Sequence, residues 1–138
     1  MKKADTIYKR RSARPETLLQ EWFAGHLRRL GVLFCASTGG ERAGARQGAA
    51  NKRRGYQKGC PDIWIFEPRG HYHGMAIELK YLNDPTEEQK VWKIELESRD
   101  YFALIMPNDL TFQQAQDWLE HNTAVYLSMD CYMLEEAQ

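Results

Sequence analysis

Two short apolar runs, Ile63–Phe66 and Met75–Leu79, are separated by eight residues, Glu67 to Gly74, that include one proline and two glycines. This pattern leaves the chain few options. Each run is short and rich in β-branched, aromatic or aliphatic residues, as a buried strand is, and the linker breaks any regular element. Two strands joined in this way pair most simply as an antiparallel hairpin. Side chains alternate along a strand, so Glu78 and Lys80 share one face while Ile77 and Leu79 take the other. Pro61 has no N–H to give to a ladder and marks the start of the first strand. The hairpin then returns Asp62 towards Glu78, and two carboxylates and one ammonium converge at one end of a sheet. Carboxylate oxygens are hard ligands that suit Mg²⁺ or Mn²⁺. A lysine beside them can polarise a water or offset charge growing on a phosphate.

The elements around the hairpin follow from spacing and punctuation. Pro15 suits a first helical position and Gly31 a stop, which predicts a helix over Pro15–Leu30. Leu19, Trp22, Phe23, His26 and Leu30 form its expected buried stripe, with Glu16 at the edge of that stripe in the first turn. Val32–Ser37 is the next expected strand. A long glycine-rich connection, Thr38–Gly59, follows, with a short helix expected within Ala43–Arg54. It carries Arg42, Arg46, Lys52, Arg53, Arg54 and Lys58 against Glu41. Long loops in small domains are functional or disordered, and phosphate contacts come largely from lysine, arginine and backbone amides. This loop is therefore the candidate phosphate-contacting surface.

After Lys80, Thr86 with Gln89 three residues on reads as a capping box opening a helix over Glu87–Ser98. Val91, Trp92 and Leu96 face inward in that reading, with Ile94 near the edge. A strand over Tyr101–Met106, a helix over Thr111–Asn122 with Phe112, Ala115, Trp118 and Leu119 inward, and a final strand over Ala124–Met129 complete the expectation.

At 138 residues with no net charge, the chain reads as one domain, residues 1–138, with no bulk electrostatic pull towards nucleic acid. The distribution of charge is uneven. Residues 1–14 form a basic tail, with Lys2, Lys3, Lys9, Arg10, Arg11 and Arg14 against Asp5. Cys35, Cys60 and Cys131 are odd in number and follow no spacing pattern, which points to reduced thiols in a cytoplasmic setting. No secretory signal or membrane-length apolar run is present. His71 and His73 could in principle ligate zinc, but no Cys-x-x-Cys or helical histidine pair supports them, and they are expected to face solvent.

Asp62, Glu78 and Lys80, as Pro61-Asp62 and Glu78-Leu79-Lys80, resemble the PD-(D/E)xK nuclease signature. Gly59-Cys60-Pro61-Asp62-Ile63, then Ile77-Glu78-Leu79-Lys80, then Thr86-Glu87-Glu88-Gln89 are similar to the pattern of the virus-type replication-repair nuclease domain, VRR-NUC. Gly39-Gly40-Glu41-Arg42 and Lys52-Arg53-Arg54-Gly55 resemble that family's glycine-rich and basic segments. Thr38 departs from it, standing where asparagine is expected. The resemblance spans roughly Glu16 to Asn122.

The resemblance implies an α/β, restriction-endonuclease-like core with a mixed central β-sheet flanked by helices, in the order α-β-β-β-α-β-α. It implies metal-dependent hydrolysis of DNA. Asp62 and Glu78 would hold Mg²⁺ or Mn²⁺, with the carbonyl of Leu79 or Ile77 as a further ligand, and Lys80 would position the attacking water. Glu16-x-x-Leu19-Gln20 is similar to the family's opening motif, whose glutamate assists the metal; Glu21 is the alternative. Gln89 would join the site through its water network or serve only as a cap. Chains of this size resemble archaeal Holliday-junction resolvases, which dimerise. The expectation is therefore a homodimeric, junction-cutting endonuclease of phage or prophage recombination and repair, working in bacterial cytoplasm. Tyr126, Leu127, Met129, Tyr132, Met133 and Leu134 are the candidate interface residues. A flap, nick or restriction-like duplex nuclease is the alternative enzyme. A catalytically silent nucleic-acid-binding module is the alternative of another kind.

Overall fold

A computed structural model describes residues 15–37 and 44–131. Expectations for the basic tail, for Thr38 and Arg42, and for Tyr132, Met133 and Leu134 lie outside those residues.

The hairpin is present and forms the middle of a four-stranded sheet. Strands β1 (Phe34–Ala36), β2 (Ile63–Ile65), β3 (Gly74–Glu78) and β4 (Tyr101–Ile105) lie side by side in the order β1-β2-β3-β4. The first two junctions are antiparallel and the third is parallel. A parallel neighbour needs a crossover, and helix α3 (Glu87–Glu97) supplies it. The described helices are α1 (Pro15–Leu30), α2 (Ala45–Arg53), α3 and α4 (Phe112–Leu127). The result is the mixed, helix-flanked α/β architecture anticipated above.

Strand alternation sorts the sheet into two faces. Ile63, Ile65, Met75 and Ile77 point to one side, where they meet Leu19, Phe23 and Leu27 of α1 and Ala115, Leu119 and Tyr126 of α4. Ala76 and Ala103 point to the other, where Leu96 of α3 packs with Trp64, Trp92 and Tyr101. Trp64 meets both Trp92 and Tyr101 edge-on, at 6.4 and 6.0 Å between ring centroids. Every residue of β3 is buried, as expected of a strand covered on both faces. Each large side chain fully removed from water contributes about 1.5–3 kcal/mol.

Four expectations need correction. Val91, expected inward on α3, is 55% exposed, and Leu96 is the buried residue of that helix. In α1 the buried stripe is Leu19, Phe23 and Leu27, a run of four-residue steps. Leu30 is 47% exposed, because Gly31 ends the helix before another turn reaches the sheet. His26 lies against the Trp22 ring at 5.6 Å, at the margin of the buried face.

There is no strand over Ala124–Met129. The helix begun at the Thr111 cap continues through Leu127. Thr123 and Tyr126 extend the stripe of Ala115 and Leu119, and burial along that stripe outweighs the β-branched look of the segment. The Tyr126 hydroxyl donates to the Glu67 carbonyl oxygen at 2.6 Å and its ring packs on Phe102 at 5.4 Å.

It follows that Tyr126, Leu127 and Met129 do not form a free docking surface. Tyr126 is fully buried, and Leu127 and Met129 pack against the main core. The core closes with these residues, not before them.

Candidate active site

The end of the hairpin nearest α3 collects the polar groups. Glu78 ends β3 on the same face as Ala76, and Lys80 follows two residues later; both are buried, at 6% and 7% exposure. The Lys80 Nζ lies 3.8 Å from Glu78 Oε1, close enough for strong charge attraction but outside hydrogen-bond range. Asp62 enters from the neighbouring chain segment. Its carbonyl accepts from Ser37 N at 2.8 Å, continuing the β1–β2 ladder, and its Oδ2 accepts from Leu79 N at 2.8 Å. Asp62 therefore clasps the backbone between Glu78 and Lys80.

The Gly59 backbone explains how Asp62 is delivered. Gly59 has φ +89, a left-handed conformation that favours glycine. A Cβ there would come within 2.7 Å of the Glu88 carbonyl carbon and 2.9 Å of Gln89 N. The glycine before Pro61-Asp62 is thus required by close packing on the first turn of α3. Lys58 reinforces the contact: its ammonium pairs with Glu88 at 3.4 Å and its carbonyl accepts from Trp92 Nε1 at 3.1 Å.

That first turn also reaches into the site. Gln89 Nε2 donates to Glu78 Oε1 at 2.5 Å. From the other side of the sheet, Glu16 in the first turn of α1 accepts from Tyr81 N at 3.1 Å through Oε1. Glu21 stands exposed further along α1, so of the two glutamates it is Glu16 that the fold brings to the hairpin end.

The electrostatics are those of a crowded anionic pocket. Burial holds the Glu78 carboxyl above the ordinary carboxylate range, the charge of Asp62 adds to this, and Lys80 opposes it. Burial also raises Asp62; the Leu79 N–H and Lys80 favour its ionised form and Glu16 disfavours it. Among the described residues, Lys80 is the ammonium that opposes the carboxyl groups of Asp62, Glu78 and Glu16, an imbalance that a divalent cation would correct. Glu78 Oε2 is buried and receives no hydrogen bond from a donor among the described residues, while the Glu78 and Asp62 carboxyls lie within hydrogen-bonding reach of each other. Two buried carboxyls in contact share a proton or hold an ion between them.

Among the described residues no three His, Cys, Asp or Glu side chains are gathered tightly enough to hold an ion unaided. The donor set of Asp62, Glu78 and a backbone carbonyl fits Mg²⁺ or Mn²⁺, which keep waters and substrate phosphates as their remaining ligands. His71 and His73 are exposed, and the three cysteines are free thiols.

Of the loop cations, Arg46, Lys52, Arg53, Arg54 and Lys58 lie exposed on or just after α2. Lys58 is engaged with Glu88; Arg42 is outside the described residues. Sequence reasoning passed over Tyr56. Its phenol is held above its ordinary range by burial first and then by the charges of Cys60, Glu78 and Asp62. The one signal was Gly55, whose φ of +104 stops α2 and turns the chain towards the site.

The mixed sheet, the helices on both faces and a carboxylate–carboxylate–lysine cluster at the hairpin end define a PD-(D/E)xK-type α/β protein. The family model described as the VRR-NUC domain matches residues 3–107, and the chain belongs to that family. A solved structure described as a VRR_NUC domain protein is similar in fold, with a TM-score of 0.64 at 21% identity over 86% of this chain and 93% of that one. No curated protein sequence matches. Membership of the family implies nuclease activity of the PD-(D/E)xK type. No described helix is long and apolar enough to cross a membrane.

Proposed function

We propose that this chain is a Mg²⁺- or Mn²⁺-dependent endodeoxyribonuclease that cuts branched DNA, four-way junctions above all, as a homodimer in a bacterial or phage-infected cytoplasm. The observation that carries the metal-dependent chemistry is the contact of two buried carboxyls, Asp62 and Glu78, beside Lys80, with Glu78 Oε2 given no donor among the described residues. Asp62, Glu78 and the carbonyl of Leu79 or Ile77 would hold the ion, with Glu16 completing or orienting the set. When bound, the ion supplies charge to offset that on the scissile phosphate and makes a coordinated water more acidic.

The remaining roles belong to the chain. Lys80, buried and unable to swing into solvent, orients the attacking water and stabilises charge as it develops on the phosphate. Gln89 holds Glu78 in place. Arg46, Lys52, Arg53 and Arg54 contact phosphates on either side of the cut, joined by Lys58 once it releases Glu88. One chain carries one such site, and a junction needs two symmetric cuts, which a two-fold pair of chains provides.

The test is a cleavage assay on labelled four-way junction, flap and linear duplex, each with Mg²⁺, Mn²⁺ or EDTA, together with light scattering. Paired nicks on opposing junction arms by a species of twice the chain mass, abolished by EDTA, are expected. A monomer that prefers flaps or duplex would retain the nuclease reading and remove junction resolution. DNA binding with no cleavage under any metal would make the chain a silent binding module.

A further inference from the structure

Glu78 has two carboxylate oxygens, and their environments differ. Oε1 accepts from Gln89 Nε2 at 2.5 Å and lies 3.8 Å from Lys80 Nζ, whereas Oε2 is buried and receives no donor among the described residues. What decides this division lies one step further out. The other end of the Gln89 amide, Oε1, accepts from the backbone N–H of Thr86 at 2.9 Å, and the Thr86 hydroxyl accepts from Gln89 N at 3.2 Å. An amide has an acceptor end and a donor end. With its oxygen held by the Thr86 N–H, only its NH₂ can face Glu78. A flipped amide would set oxygen against carboxylate oxygen and NH₂ against N–H.

The turn that carries this pair is also fixed in space. Gly59 packs on Glu88 and Gln89 so closely that no Cβ fits, and Gly59 is three residues before Asp62. The segment bearing one carboxylate and the turn that orients the other are thereby held in register.

We infer that the capping box of α3 is a positioning device for the metal-binding carboxylate: Thr86, acting through the Gln89 amide, sets which oxygen of Glu78 faces the ion, and Gly59 keeps that turn in register with Asp62. The inference rests on the metal-dependent reading above. Thr86 touches neither ion nor DNA, so its effect appears in metal affinity before it appears anywhere else.

The chain contains its own control. Thr111 caps α4 with the same box, its hydroxyl accepting from Gln114 N at 3.1 Å and its N–H donating to Gln114 Oε1 at 3.0 Å. Gln114 is exposed on a helix that takes no part in the site. Calorimetric titration of Mn²⁺ into the full-length protein, without DNA, would be run on wild type, on Thr86→Pro and Thr111→Pro, which remove the N–H at residues whose φ of −75 and −65 already suits proline, on Thr86→Ala, which removes only the hydroxyl, and on Gln89→Glu, with the metal-free melting temperature of each.

Removal of a partner just outside the ligands typically costs 10–100-fold in metal affinity. Thr86→Pro is expected to weaken Mn²⁺ binding about tenfold, at the low end of that range, and Thr86→Ala, which keeps the N–H on Gln89 Oε1, to stay within about twofold of wild type. Gln89→Glu keeps the cap but sets a carboxylate against Glu78, and is expected to change Mn²⁺ affinity by at least the same factor. Thr111→Pro should melt earlier, as Thr86→Pro does, with wild-type Mn²⁺ affinity. Equal Mn²⁺ affinity in Thr86→Pro and Thr111→Pro overturns the inference. Wild-type protein that binds no Mn²⁺ overturns the metal site itself, and the inference with it.

Discussion

The two capping boxes of this protein have nearly the same sequence and different work. Thr86-Glu87-Glu88-Gln89 opens α3, and Thr111-Phe112-Gln113-Gln114 opens α4. In each, threonine and glutamine exchange the same pair of hydrogen bonds, which satisfies donors that a helix start leaves open. On α4 the effect ends there, and the helix is held by its apolar stripe of Ala115, Leu119, Thr123 and Tyr126. On α3 the stripe is thin, with Leu96 alone fully buried, and Val91 and Ile94 are 55% and 66% exposed. That helix is instead fastened at its first turn, by Gln89 on Glu78, Glu88 on Lys58 and Gly59 underneath. A local motif therefore stabilises a helix wherever it occurs, and becomes part of a site only where the sheet delivers a partner to it.

The largest expected effects break the α3 side at the chemistry. Asp62→Asn, Glu78→Gln and Lys80→Ala should each lower cleavage by at least about 10²–10³-fold, the loss typical of removing one preorganised charge-stabilising group. Circular dichroism should show the fold retained. Wild-type rates in any two of the three would remove these residues from the mechanism.

A second test uses pH. The folded-state carboxyl groups of Asp62 and Glu78 sit above the ordinary carboxylate range, chiefly through burial. A raised folded pKa favours the protonated form, so this contribution to stability is complete below the unfolded-state range and is lost as pH rises through the raised values. Metal-free protein should therefore melt progressively earlier as pH climbs from about 4 to neutral and beyond. Saturating Mg²⁺ should recover more of the melting temperature at alkaline than at acidic pH, because a ligand stabilises only the state it binds. An equal Mg²⁺ increment at both pH values would contradict the site's charge balance. The α4 box, remote from these groups, should leave this profile unchanged when Thr111 is replaced.

A third test concerns the basic segment. Changing Arg46, Arg53 and Arg54 together to alanine should lower the salt dependence of DNA binding by about one unit per lost phosphate contact, for all sequences alike. An unchanged slope would make α2 a solvated connection.

The smallest effect is the one the two boxes share. Loss of an N-cap hydroxyl costs about 0.5–2 kcal/mol. Thr86→Ala and Thr111→Ala should both lie in that range in metal-free melting, which separates capping from positioning.

Much of this protein was legible in its sequence because the signals are local. The hairpin follows from two apolar runs and a broken linker. The shared face of Glu78 and Lys80 follows from strand alternation, and both starts, at Pro15 and Thr86, follow from backbone chemistry within one turn. Boundaries were less legible. Val32–Ser37 shortens to Phe34–Ala36, where the pairing with β2 decides which residues count as strand. The length of α4 was hidden because Ala124 to Met129 reads equally well as a strand; only the core on Phe102 and the Glu67 carbonyl draws Tyr126 into a helical stripe. Leu27 displaces Leu30 in α1 for the same reason, since the sheet's extent and not the helix's own period decides which turn is covered. The site divides in the same way. The sequence alone determined that two carboxylates and a lysine meet at a hairpin end. Only the tertiary structure decided for Glu16 over Glu21 at the hairpin end, and that a helix cap engages one oxygen of Glu78. Those relations link segments up to 65 residues apart, and no short-range propensity encodes a distance between them.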